Sequence, residues 1–358
     1  MSAPSLPLDR VLALRPSNTV ARLGEKSKVP VLGARELLSV LPSGIALACL
    51  PAYADEAVPA LLKASRDEDA ALGLSLSWPL AEGDSPSRVV GLVAEEAESV
   101  RHKAPLFLQA GPLPYGGVGV GGLTAEVVSL FLDAGFTHFC VDASSVKAKA
   151  EATPEALAEL LKPVLERGLS VELAPPLADD GEWDPERAQA FLEALVQKGV
   201  TPLFVRLPSS AYALREDARE VYELDLSVLE AARAVAQSVG AALSVVQSGR
   251  PTARVLRTLC AAGVRKIDVE DPFARAVLQS WPSEAAELLR GEAESQKTAP
   301  QRLLRKLAGE LQVEVSAAAR DRSEATQWAD AHDVLAAVGG RGTGSLCVAR
   351  LAEGRGRP

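Results

Sequence analysis

Residues 137–173 read THFCVDASSVKAKAEATPEALAELLKPVLERGLSVEL, and the architecture follows from this stretch. Thr137–Asp142 and Leu169–Leu173 are short runs rich in aromatic, β-branched and aliphatic side chains, the composition of buried strands. Between them Thr153 stands directly before Pro154. That pair offers a hydroxyl to cap free N–H groups, then a ring whose fixed φ suits the first helical turn. Leu157, Leu160, Leu161 and Val164 follow at three- and four-residue spacing, which lines one face of a helix. Gly168 is placed to make the turn back into a strand. Strand, helix and strand of this kind form a parallel βαβ unit whose helix covers the sheet.

The same rhythm extends in both directions. Strand-like runs lie at Ile45–Leu50, Leu72–Ser77 and Pro105–Gln109 on one side, and at Pro202–Leu207, Ala241–Val246 and Val264–Val269 on the other, their starts 23 to 39 residues apart. Asp55, Ser85, Thr124, Asp184 and Asp225 stand where helix caps are needed. Eight strands alternating with helices predict an α/β fold, a (β/α)8 TIM barrel with extra N- and C-terminal helices. A doubly wound open sheet is the rival, but no G-x-G-x-x-G follows the first strand. The glycine run GGVGVGG at 116–122 lacks the Lys and Ser/Thr of a phosphate loop and reads as a βα loop. The organisation expected is a leader and helix over 1–40, the barrel over 41–283 and a helical extension over 284–358.

Composition narrows the classes of partner. The 38 basic side chains face 47 acidic ones, a net charge of −9. No basic surplus exists to replace the counterions of nucleic acid or an anionic membrane, so neither is expected as a partner. No run approaches the ~18 apolar residues of a spanning helix, and Met1–Pro16 has no apolar core of a signal peptide. A cytoplasmic location is expected. Cys49, Cys140, Cys260 and Cys347 form no CxxC pair and read as buried, reduced thiols.

In such barrels the site forms at the C-terminal strand ends. Those positions hold Gln109, Asp142, Glu172, Arg206, Gln247 and Asp268 as the candidate mouth residues, with Tyr53, Trp78, Ser209, Glu270 and Asp271 beside them. The carboxylates could pair with Arg206, Arg250 or Lys147, or move a proton while Arg206 orients an anion. Ser248, Gly249 and Arg250, before a helix start, are the candidate ligand-binding set for a small anion. His102, His138 and His332 are not spaced to converge on a metal, and Lys266, near the start of its strand, is not stationed for a Schiff base.

Four segments carry a resemblance. VPVLGARELLSVLPSGIALACLPAYADEAVPALLKAS from Val29, FLDAGFTHFCVDAS ending at Ser144, RGLSVELA, and LSVVQSGRPTARVLRTLCAAGVRKIDVEDPF resemble the class II fructose- and tagatose-bisphosphate aldolases, including the non-catalytic tagatose-bisphosphate aldolase subunit. The likeness covers about residues 30–280. It implies a barrel that cleaves sugar bisphosphates with a zinc ion as Lewis acid. The matching positions have changed. The family's third-strand Asp-His pair falls on Leu108-Gln109-Ala110-Gly111, and its metal-associated glutamate on Ala174. Its sixth-strand histidine falls near Ser209, and its seventh-strand histidine on Gln247 before Ser248-Gly249-Arg250. Asp268, Glu270 and Asp271 replace the eighth-strand phosphate-site residues.

The resemblance therefore implies a degenerate member with no metal and no cofactor. Three functions compete: a non-catalytic scaffold or regulatory barrel with a protein partner or as a homodimer, an enzyme of replaced, non-zinc chemistry on a small anionic or sugar-phosphate substrate, and a sensor that binds sugar phosphate at Ser248–Arg250 without turnover.

Overall fold

Runs buried on both faces must pair with one another, and a computed structural model of the chain shows how. It describes residues 7–116, 122–145, 153–178, 181–216, 220–296 and 299–354. Helices α1 (Pro7–Leu12), α2 (Ser17–Leu23) and α3 (Ala34–Val40) lead into β1 (Leu47–Pro51), α4 (Ala57–Asp67), β2 (Leu72–Leu76) and α5 (Pro86–Ser99). Then come β3 (Leu106–Pro114), α6 (Ala125–Ala134), β4 (His138–Asp142), α7 (Pro154–Glu166), β5 (Ser170–Ala174) and α8 (Pro185–Gln197). After β6 (Phe204–Leu207) the chain makes α9 (Ser209–Tyr212), a hairpin β7 (Ala213–Glu216) and β8 (Glu220–Leu224), and α10 (Leu226–Ser238). It continues through β9 (Ala242–Gln247), β10 (Arg250–Pro251), α11 (Ala253–Ala261), β11 (Val264–Val269) and α12 (Asp271–Ser280). Helices α13 (Ser283–Ser295), α14 (Pro300–Glu310), α15 (Ala317–Ala337) and α16 (Thr343–Ala352) follow.

Eight strands close into one parallel barrel in the order β1-β11-β9-β6-β5-β4-β3-β2, as the periodicity predicts for a TIM barrel. The sheet closes where Leu47, Ala48 and Cys49 pair with Lys266, Ile267 and Asp268. Two features depart from the sequence reading. β3 runs five residues past Gln109 to Pro114, with a register shift against β4. The longest interval between expected strands holds the unforeseen β7–β8 hairpin, and β10 joins it as a third strand.

Thr124, Thr153, Asp184, Asp225 and Ser85 accept N–H bonds from the first turns of their helices, as expected of caps. Asp55 does not: Glu56 occupies the cap position of α4 without a side-chain bond. The Asp55 carboxylate is engaged by two arginines instead, Arg88 and Arg305. The helix ring is completed by α15, whose Glu324 pairs with Lys63, whose Trp328 indole donates to Asp67, and whose Ser323 donates to Ala276 of α12.

Two cores result. Leu243, Val245, Val171, Leu173 and their neighbours pack outward against the helices. Leu47, Cys49, Phe107 and Phe204 face the barrel interior and merge with Leu32, Leu37, Cys347 and Leu351, which close its N-terminal end. Arg265 fixes that closure by donating to the Pro42 and Leu41 carbonyls, and Arg350 by donating to Val40. The four cysteines are free and buried. Among the described residues no helix is long and apolar enough to cross a membrane.

Candidate functional site

Strand alternation turns Ser170 and Glu172 of β5, His138 and Cys140 of β4, Ser244 of β9, and Lys266 and Asp268 of β11 into the barrel. A charge buried there must be compensated, and each one is. The Lys266 ammonium, wholly buried, donates to Glu172 at 2.7 Å and to Asp268 at 2.6 Å. Glu172 also accepts from Ser244 Oγ at 2.6 Å and from His138 Nε2 at 3.0 Å. With Nε2 donating, the neutral ring leaves Nδ1 to accept from the Ser170 hydroxyl at 2.8 Å. Burial alone would raise the Glu172 carboxyl, but Lys266 and His138 outweigh it and hold it below the carboxylate range. Burial likewise opposes the charge on Lys266, and Asp268 and Glu172 override it, so the amine stays protonated.

One layer higher, Gln109 donates to Asp268 at 3.2 Å, and Arg206 donates to Glu270 at 3.0 Å and to Cys140 Sγ at 2.8 Å. Burial raises the Glu270 carboxyl; Arg206 counters it only in part, and Asp268 adds to the rise. Asp142, at the end of β4, accepts from Ser144 and from Arg302. Burial pushes that carboxyl up, but Arg302 and Ser144 outweigh it and the net shift is downward.

Arg302 belongs to α14, and so do the other groups that reach the strand ends. Gln301 donates to Asp271. Arg305, 6% exposed, donates to Asp84 at 2.7 Å, to Asp55 at 2.9 Å and to the Ala52 carbonyl at 3.2 Å. Leu303, Leu304 and Leu307 of α14 are buried in the outer core. The helix thus lies across the mouth with its polar side chains seated on carboxylates of the βα loops.

The structure brings Gln109, Arg206 and Asp268 together, as the sequence reading expects, with Asp142 above them. Three candidates fall elsewhere. Glu172 is locked in the interior below the mouth. Gln247 sits on the opposite parity from Ser244, where Tyr212 donates to it at 3.2 Å. The anion set is taken by this chain's own groups: the Gly249 N–H donates to Asp271 at 2.6 Å, Arg250 pairs with Asp330 at 2.9 Å, and Ser248 shares a hydrogen bond with Ser209. Lys266 corrects the reading from the other direction, for it does project into the barrel. Its station near the strand start puts it in the deepest layer, where its two carboxylate partners rule out the neutral amine a Schiff base needs. Residues 117–121 of the glycine run, and Lys147, lie outside the described residues.

The sequence reading missed His138, Ser244 and Lys266 as interior partners, and Arg302 and Arg305 as mouth residues. Alternation along VRKIDV could have placed Lys266 and Asp268 on one face. Nothing local marks Arg302, which meets Asp142 across 160 positions.

A zinc site of the kind the resemblance implies is not matched by these donors. Among the described residues no group of three or more His, Cys, Asp and Glu side chains is placed to hold a metal ion. His138 is engaged by Ser170 and Glu172, His102 by Ser65, and His332 by Glu68.

No protein-family profile matches the chain, and no curated protein matches it. Solved structures do share its fold. The YdjI aldolase of Escherichia coli K12 superposes at a TM-score of 0.52 with 16% identity, covering 84% of this chain and 94% of that one. A putative fructose-1,6-bisphosphate aldolase of Coccidioides immitis gives 0.51 and 16%, covering 95% and 99%. A probable tagatose 6-phosphate kinase of Sinorhizobium meliloti 1021 gives 0.51 and 14%, covering 87% and 99%.

Proposed function

We propose that this chain is a degenerate aldolase-like barrel that works without turnover, as a scaffold or regulatory partner. The observation that carries the reading is helix α14 across the mouth. Its Gln301, Arg302 and Arg305 occupy Asp271, Asp142, Asp55 and Asp84 of the βα loops, Asp142 among them a candidate mouth carboxylate. The donor set supports the same reading: glutamine and serine stand where the resembled family carries histidines, and among the described residues no group of His, Cys, Asp and Glu is placed to hold the zinc that would act as Lewis acid for the enediolate of aldol cleavage.

The test is elemental mass spectrometry of untagged protein expressed with added zinc, followed by an assay for cleavage of fructose and tagatose bisphosphates. Zinc below about a tenth of an equivalent and no cleavage above background are expected. Stoichiometric zinc with turnover overturns the reading.

A second reading rests on Glu270, whose raised carboxyl beside Arg206 has the character of a general acid. On that reading the chain is a lyase of replaced chemistry on a small anionic substrate, with Arg206 orienting it. Any turnover found in a substrate screen would then be abolished by Glu270→Gln and retained in Gln247→Ala.

A further inference from the structure

Deep in the barrel Lys266, Glu172, His138, Ser170 and Ser244 answer one another. One step nearer the mouth, two buried polar atoms have no partner: the Gln109 Oε1 acceptor, in a residue 1% exposed, and the Arg206 Nε donor, in one 4% exposed. Both side chains point inward, two residues above the interior Phe107 and Phe204. Both also flank one carboxylate. Gln109 donates to Asp268 through Nε2 at 3.2 Å, while Arg206 Nε stands 3.8 Å from it, outside hydrogen-bond reach.

Two hydroxyls join them. Ser75 pairs in register with Gln109 and so shares its face, and its side chain makes no hydrogen bond among the described residues. Tyr53, just past β1, is buried and its hydroxyl is likewise unbonded among the described residues. Burial, then Glu270 and Asp271, raise that phenol, and Arg206 and Arg302 pull it back, which sets the hydroxyl among the groups of the mouth. The layer has room. Its inward positions include Pro51, Ser75 and Ala174, where the layer below holds Phe107 and Phe204. The Glu270 side chain bonded to Arg206 is 23% exposed, so solvent reaches this depth. A buried polar atom left unanswered costs about 1–3 kcal/mol, and such atoms gathered in one layer point to a molecule that answers them.

We propose that this layer of the mouth binds a small neutral polyol, whose hydroxyls accept from Arg206 Nε, donate to Gln109 Oε1, and do either with Tyr53 and Ser75. A hydroxyl both gives and takes a hydrogen bond, which this mixture of donors and acceptors requires. An anion would meet Asp142, Asp268 and Asp271, while the Arg206 and Arg302 guanidiniums are already committed to Glu270 and Asp142. An alkyl ligand would bury all four groups unanswered. The polyol carries no phosphate and so differs from a sugar phosphate at Ser248–Arg250. Its binding does not depend on whether the barrel turns over.

The test is saturation-transfer NMR and calorimetry on the full chain with erythritol, xylitol, sorbitol and inorganic phosphate. At least one polyol should bind, and phosphate should not. Tyr53→Phe and Ser75→Ala remove oxygens that the chain itself leaves unbonded. Each should therefore weaken the polyol about fivefold while the unfolding midpoint stays in place. The bound polyol should also slow hydrogen exchange selectively in α14, which lies across the layer, whereas general exclusion of polyols from the surface would slow every element alike. No signal from any of the three polyols with folded protein means that water alone fills the layer, and overturns the proposal. So does phosphate binding in their place, or a polyol affinity unmoved by both substitutions.

Discussion

At the N-terminal end of the barrel, Leu37, Cys347 and Leu351 press aliphatic carbon and sulfur against Leu47, Phe107 and Phe204. At the C-terminal end, Gln301, Arg302 and Arg305 lie on Asp271, Asp142, Asp55 and Asp84. The first seal is non-directional and strengthens with buried area. The second is directional, partly wet and weakened by salt and acid. Between them lies a third kind of closure, the dry ionic set of Lys266, Glu172 and Asp268, stable only while every charge keeps its partner. The mouth is thus covered in part by the chain's own helix, through contacts that water and salt can reach.

The largest effect should come from breaking the interior set. Lys266→Met leaves Glu172 and Asp268 without their shared cation and should cost about 3–5 kcal/mol in a urea titration. A loss under ~1 kcal/mol would mean that His138, Ser244 and Gln109 suffice for those carboxylates, and that the interior does not depend on the lysine. At the N-terminal end, Leu37→Ala opens a cavity in a wholly buried cluster and should cost about 3 kcal/mol, with little dependence on salt. A marked salt dependence would erase the distinction between the two ends.

The ends should also separate by pH. His102, at the N-terminal end, is bonded to Ser65 at 2.8 Å, and burial, helped by Arg66, pushes its pKa down to about 4. A folded value below the unfolded value means that the unfolded chain binds the proton first. The stability is therefore whole above about pH 6.5 and is lost as pH falls toward 4, by about 3 kcal/mol in all. Unfolding midpoints across that window should show the slope, and His102→Asn should flatten it by about one proton.

How much of this was legible in sequence depends on the range of the signal. Strands and caps are local: Thr153–Pro154 and Asp184–Pro185 name their helices within a few residues, and the eight apolar runs name the barrel. Gln109, Arg206 and Asp268 were within reach because strand ends converge in this fold. Gln247 and Glu172 were misjudged by one step of parity and one layer of depth. The seal was out of reach because its arginines sit in a helical extension whose contacts cross some 160 to 250 positions. Asp55 illustrates the conflict: its place before α4 says cap, but two guanidiniums outbid one N–H.

The smallest effect in stability should be the most informative about the mouth. Arg302 is 35% exposed, so Arg302→Ala should cost only about 1 kcal/mol in global unfolding, after allowance for solvent screening. Hydrogen exchange in α14 should nevertheless rise selectively, because one of its three polar anchors is gone while Leu303, Leu304 and Leu307 still hold it. Acid should act the same way. The Asp142 carboxyl lies below its ordinary value in the folded protein, so its contribution is present above the unfolded carboxylate range, near pH 4, and is lost as pH falls through the lower folded value. Lowering the pH should therefore loosen the His102 end first and α14 last. The reverse order, or exchange in α14 unmoved by Arg302→Ala, would show that the leucines alone close the mouth and that its charged seal is incidental.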